Sequence, residues 1–198
     1  MDEAAASFAV LRAAERAAVT WKNGGGLTRE VAVHPAASDF ASFDWRVSIA
    51  EIAAPGPFSV FPDIDRRMVV LSGRLTLAID GSAPLTLTPE SPAVAFAGDV
   101  AAFAEPHGGP VVDLNVMTRR GRSTADLRRL EIRSPLRLET EPGVTRLLVA
   151  LTSQRVLCAG RPQSLERLDA LLIAPGAPAV TLAVQGPAAL LLAELRPG

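Results

Sequence analysis

Short apolar runs of strand length, separated by proline and glycine, recur along nearly the whole chain: 43–52, 68–71, 75–79, 93–96, 111–117, 147–151, 171–173, 180–184 and 188–195. With 16 prolines and 15 glycines punctuating them, long helices have little room. The pattern predicts an all-β chain, an antiparallel sandwich or barrel. Helical propensity over 9–18 and helical spacing over 127–130 are too short to decide the fold.

Where the alternation is strict it also sorts side chains by face. In 44–52, Arg46, Ser48 and Ala50 share one strand face and Trp45, Val47, Ile49 and Glu51 the other. A buried arginine requires a partner, so Arg46 points either to solvent or into a cavity whose ligand or carboxylate completes its hydrogen bonds. Asp113, Asn115 and Met117 likewise share a face opposite Leu114, Val116 and Thr118. The two polar residues there either bond to a glycine loop or contact a ligand. Glu105-Pro106-His107-Gly108-Gly109 reads as a hairpin loop with His107 exposed, and Arg119-Arg120-Gly121-Arg122 as a solvated turn.

A faint repeat overlies these runs. Val70-Leu71-Ser72-Gly73-Arg74 returns with one insertion as Val156-Leu157-Cys158-Ala159-Gly160-Arg161, and Pro89-Glu90-Ser91-Pro92-Ala93-Val94 returns as Pro175-Gly176-Ala177-Pro178-Ala179-Val180. Both pairs are about 86 positions apart, as duplication of one structural unit predicts. Two barrel-like halves are expected, over 1–122 and 123–198.

At 198 residues the chain fits one large or two small domains, and 5% aromatic content without tyrosine makes its core aliphatic. Twenty Lys and Arg against 21 Asp and Glu give no electrostatic footprint for nucleic acid or an anionic membrane. The lone Cys158 excludes an internal disulfide and a thiolate metal cage, and reads as core filler. An acidic N-terminus without a long apolar stretch, and no apolar run near the roughly 20 residues of a membrane span, lead to a cytoplasmic protein as the expectation.

The densest chemistry lies in Trp21-Lys22-Asn23-Gly24-Gly25-Gly26-Leu27-Thr28-Arg29-Glu30, which holds the only lysine and a triple glycine. Glycines are kept together where φ is positive or another group approaches the backbone, so the segment is a tight turn or a ligand-contacting loop, with Gly25 a candidate for positive φ. It is not a phosphate loop, because Lys22 precedes the glycines and a strand follows them.

The segment from Gly56 to Arg67 resembles the first motif of a cupin barrel with its metal ligands replaced. Ser59, Phe61 and Asp63 stand where the His-x-His pair falls, Arg66 stands where the glutamate falls, and a turn at Ser72-Gly73 follows. Phe96-Ala97-Gly98-Asp99-Val100-Ala101 resembles the second motif, again without histidine. His34 and His107 sit in no ligand pair, so no metal is expected.

Four motifs in order, Trp21 to Glu30, Trp45 to Glu51, Gly56 to Arg66, and Asp113-Leu114-Asn115-Val116-Met117 with Arg119-Arg120-Gly121, together resemble the HutD/Ves family across residues 8–122. That resemblance implies a bicupin jelly roll without catalytic metal or cofactor. For the HutD branch it implies a role in regulating histidine utilisation by binding a small acidic metabolite, such as a formylated amino acid or another histidine-pathway acid. The Ves branch has a stress-associated role.

The expected ligand-binding set is Lys22, Asn23, Arg46, Ser48, Ser59, Phe61, Asp65 and Arg66, with no catalytic residue assigned. A small carboxylate is the expected partner, and a homodimer is a candidate assembly. Two alternatives stay open: a metal-independent hydrolase or isomerase using Glu51 or Asp65 as general base, and a ligand-free interaction protein.

Overall fold

The computed structural model describes residues 7–158, 160–183 and 188–198. Its strands run β1 (Phe8–Leu11), β2 (Ala18–Thr20), β3 (Gly26–His34), β4 (Trp45–Ile52), β5 (Gly56–Pro57) and β6 (Ile64–Ile79). They continue through β7 (Leu85–Leu87), β8 (Val94–Ala97), β9 (Ala102–Arg119), β10 (Ser123–Ile132), β11 (Leu136–Leu138) and β12 (Thr145–Ala150). The last are β13 (Gln154–Cys158), β14 (Arg161–Leu165), β15 (Ala170–Ile173), β16 (Val180–Ala183) and β17 (Ala188–Pro197). Among the described residues the single helical element is a 3-10 turn, Ala13–Glu15.

The fold is all-β, as the alternation predicted, and its jelly-roll arrangement is the one the family resemblance implied. Contacts divide the chain into two units, Arg16–Thr124 with Gly198, and Met1–Glu15 with Ala125–Pro197. The N-terminal unit is one sheet in the order β2-β3-β4-β9-β6-β7, with β5 added to β9 and β8 to β6. In the C-terminal unit the order is β1-β15-β12-β17-β10 in one sheet and β11-β16-β13-β14 in the other. The boundary between the units falls at 124/125. The opening segment goes elsewhere than its position suggests: Phe8 pairs with Ile173 and Leu11 with Ala170, so β1 joins the C-terminal unit. The repeated sequences differ in place: Val70 to Arg74 lies inside β6, whose pairing with β8 runs over Asp65 to Met68, whereas Val156 to Cys158 ends β13 and pairs with β16, and Arg161 begins β14. Ala159 and Val184, within the repeat and one anticipated strand, lie outside the described residues.

Three local expectations are corrected. Residues 127–130 lie in β10, where Ser123, Ala125 and Leu127 are buried in alternation with exposed neighbours; the period of two overrides the helical spacing. The runs 68–71 and 75–79 are one 16-residue strand, with no turn at Ser72-Gly73. Gly73 sits at φ 85° with its missing Cβ 3.0 Å from Pro110 O, and the register of β6 against β9 shifts there, so the glycine marks a bulge. Residues 105–109 are likewise not a hairpin but part of β9. His107 is half-buried opposite Arg74, with a ring nitrogen 2.7 Å from the Thr76 hydroxyl.

The two units differ in what they bury. The C-terminal core, including Leu148, Leu165, Leu171, Val180 and Leu190, is continuous and aliphatic. In the N-terminal unit two apolar clusters lie on the sheet face that carries Arg66, while Val47, Val69, Leu114 and Val116 are buried on the opposite face. One cluster gathers Ile52, Met68, Val70, Leu75, Leu77 and Val111, and the other Phe43, Ile64 and Met117 with Val33 and Phe61 packed on them. The strand rows between those clusters carry the buried polar side chains of the site.

Candidate functional site

Register fixes which side chains share the inner face. Arg46 on β4, Met117 on β9, Arg66 on β6 and Phe96 on β8 are successive cross-strand partners in one row. The next row holds Glu30, Ser48, Asn115 and Met68, and the one after it Thr28, Ala50, Asp113 and Val70. Directly opposed residues project to the same side of a sheet, so Arg66, Asn115, Asp113, Ser48 and Arg46 enter one interior between two apolar clusters.

Arg66 is the centre of this arrangement. It is 5% exposed, and its guanidinium carbon lies 4.8 Å from the ring centroids of both Phe58 and Phe96 and 5.9 Å from that of Phe61. The three rings hold the cation by their quadrupoles but offer no oxygen, and Arg66 Nε has no hydrogen-bond partner. Burial lowers its pKa to about 10, partly opposed by Asp113, so it stays charged at neutral pH. Nearby, Asn115 Oδ1 is also buried without a donor, and Ser48 is buried beside it. An unpaired buried guanidinium next to an unpaired acceptor is costly to a folded chain unless a ligand completes both.

Asp113, 2% exposed, is the other buried charge-bearing group on this face. Burial pushes its pKa up to about 7 against the attraction of Arg66. Arg46 stands nearer the mouth. It ion-pairs with Glu30 at 2.7 Å and lies 4.8 Å from the centroid of Phe40, which stacks on Phe61 at 5.3 Å. The aromatic pair therefore spans the distance between the two arginines. Phe40 itself is 53% exposed at this rim.

The structure brings Arg46, Ser48, Arg66 and Phe61 to this site. It does not bring the other four. Lys22 is exposed on the turn. Asn23 uses Oδ1 to accept from Gly25 N at 3.0 Å, a structural role in that turn. Ser59 is exposed, and Asp65 faces outward to Arg120 at 2.8 Å, which also holds Asp99 at 2.8 Å. Arg120 is thus the clasp of two carboxylates, in a turn read from sequence as merely solvated. Of the two candidate general bases, Asp65 is engaged by Arg120 and Glu51 lies on the face opposite Arg46 and Ser48.

The glycine loop supports the site indirectly. Positive φ belongs to Gly24, at 68°, not Gly25. Gly26 is the close approach: a Cβ there would lie 2.3 Å from Glu51 O. Trp21, held by its Nε1 donating to Thr28 Oγ1 at 2.8 Å, meets Phe58 edge-on at 6.4 Å. The loop thereby fixes one of the rings around Arg66. Asp113 and Asn115 do not bond this loop; their register places them with Arg66. Phe58, Phe96 and Glu30 were missed as site residues. Their signal was present, since Phe58 and Phe96 lie within the two cupin-like segments and Glu30 ends the glycine motif.

Among the described residues no cluster of three or more His, Cys, Asp or Glu is found, and no helix is long and apolar enough to cross a membrane.

The comparisons agree with this architecture. The family model HutD matches residues 13–192. An uncharacterised 21.2 kDa protein from the region 3' of hutC in Pseudomonas putida is 33% identical over 89% of this chain and 92% of its own length. Protein Ves of Cronobacter sakazakii is 41% identical over 54% of this chain, and the match spans 59% of that protein. HutD from Pseudomonas fluorescens SBW25 superposes with a TM-score of 0.80 at 29% identity, covering 97% of this chain and 100% of that one. A cupin 2 conserved barrel protein from Leptotrichia buccalis, at 10% identity and TM-score 0.61 over 88% and 91% of the two chains, shares the fold. By the family match over residues 13–192 and by the relative from the hutC region, the chain belongs to the HutD family.

Proposed function

We propose that the N-terminal unit binds a small carboxylate metabolite at Arg66, without a metal, and that this binding serves the regulation of histidine utilisation. The observation that carries the reading is the buried guanidinium of Arg66, boxed by three phenylalanines and lacking a partner at Nε. A carboxylate satisfies that group with charge-assisted hydrogen bonds, while the apolar walls exclude the water that would weaken them. Asn115 Oδ1 accepts a further donor, which suits the N–H of an acylated amino acid. The link to histidine utilisation rests on relatives: a protein named HutD and another encoded 3' of hutC.

The test is titration calorimetry with formate, acetate, N-formyl amino acids and acids of histidine breakdown, on wild type and on Arg66→Met. Saturable binding by wild type and its loss in the folded variant are expected. A wild type that binds none of these acids, or an Arg66→Met protein that binds them equally well, would refute the assignment.

A further inference from the structure

We propose that Asp113 is a second, proton-coupled arm of this anion site: neutral Asp113 presents a hydrogen-bond donor to the ligand beside Arg66, and loss of its proton expels the anion. The inference rests on the carboxylate reading above and adds to it how binding is regulated.

The geometry comes first. Asp113 is buried on the inner face of β9, two residues from Asn115 and four from Met117, the cross-strand partner of Arg66. Asp113 and Arg66 do not close an ion pair, although each is the electrostatic neighbour of the other. A buried cation and a buried acid on one sheet face that do not bond to each other leave both open to a third group that bonds to each. A carboxylate meets that description only when the acid is protonated. Two carboxylates sharing a dry site cannot both stay ionised, so one must hold a proton.

The surrounding charges do not offer another proton carrier. β6 contributes Arg66, which remains charged. β4 contributes Ser48 and Ala50 opposite β9, and Arg46 further along, already paired with Glu30 of β3. Thr28 on β3, Val94 and Phe96 on β8, and Val111 and Asn115 on β9 are not titratable. Burial places the Asp113 transition near neutrality, where cytoplasm-like changes of pH change its occupancy.

Proton uptake therefore accompanies anion binding. Calorimetry with formate as the probe, in buffers of different ionisation enthalpy between pH 5.5 and 8.5, measures it directly on the wild-type protein. Affinity is expected to be flat below about pH 6.5 and to fall about tenfold per pH unit above about 7.5, with up to one proton taken up per formate. Asp113→Asn keeps a neutral amide donor and is expected to bind formate with affinity independent of pH across this range. Formate binding whose affinity and proton count do not vary with pH in wild type would overturn the coupling while leaving the Arg66 site intact. An unchanged pH dependence in Asp113→Asn would move the proton to another group and overturn it too. No formate or acetate binding at any pH would overturn the carboxylate reading itself, and the coupling with it.

Discussion

Replacing Arg66 with methionine is expected to make the unliganded protein more stable while abolishing its ligand binding. Burial lowers the Arg66 pKa from its ordinary value to about 10, which at about 1.4 kcal/mol per tenfold corresponds to roughly 3 kcal/mol against the charged form in the fold. Three aromatic faces within 6 Å offset part of this, about 1–2 kcal/mol, and are lost in the variant. Methionine fills the same volume and packs on the same rings through its polarizable sulfur, so little cavity opens. The net gain is about 1–2 kcal/mol, a melting temperature raised by roughly 2–8 °C for a chain of this length. Urea denaturation at pH 6, where Asp113 is mainly neutral in both proteins, isolates the arginine. Destabilisation of the variant by more than about 1 kcal/mol would refute the reasoning, because Arg66 would then be a structural cation satisfied by its surroundings.

Three further outcomes are expected. Asp113, with a folded pKa of about 7 against 3.8 ordinarily, holds a proton in the native state over a range where the unfolded chain has lost it. Its contribution to stability therefore falls as pH rises through that window, by about 2–3 kcal/mol between pH 5 and 8; Asp113→Asn should remove this slope in paired urea titrations. Gly26→Ala must push a Cβ against Glu51 O at 2.3 Å and the Trp21 ring at 3.2 Å, so it should lower the melting temperature far more than Gly25→Ala, whose nearest neighbour is the movable Asn23 side chain at 3.4 Å. Equal effects in thermal denaturation would count against a close approach at Gly26. In the C-terminal unit Glu194→Ala leaves Arg146, 5% exposed, without its 2.7 Å partner and should cost about 3 kcal/mol by urea denaturation, whereas a loss below about 1 kcal/mol would mean that Glu141 and the Glu139 carbonyl satisfy the guanidinium.

The strands were legible where burial on one face writes a period of two into the residues, as in β10. What the period does not state is which face is inside. Arg46 and Ser48 were sorted together from sequence, yet only the fold shows that both faces of β4 are buried and that Met117 and Asn115 stand beside these two residues. Arg66 was found by its place in a cupin-like motif, whereas its unsatisfied Nε is a property of three rings brought from separate strands and loops. Asp65 illustrates the opposite limit. Adjacent residues on a strand point to opposite sides, so Asp65 and Arg66 could not both serve the interior. The long β9 was hidden because Pro106 and Gly108-Gly109 carry turn chemistry, and in the fold that chemistry is spent on an irregularity opposite Gly73 rather than on a reversal.

The pairing of β1 with β15 has a consequence for synthesis. Phe8 must wait for Ile173 to emerge before its edge of the sheet can form, whereas all the strands of β2 through β9 are contiguous in Arg16–Thr124. At about 5–20 residues per second, the interval is roughly 10–30 s, during which β1 remains without its mate while the contiguous unit can already close. The order of assembly on the ribosome is thus written in the topology. The unit that carries Arg66 can finish early, and the one that owns both the earliest and the latest strands finishes last.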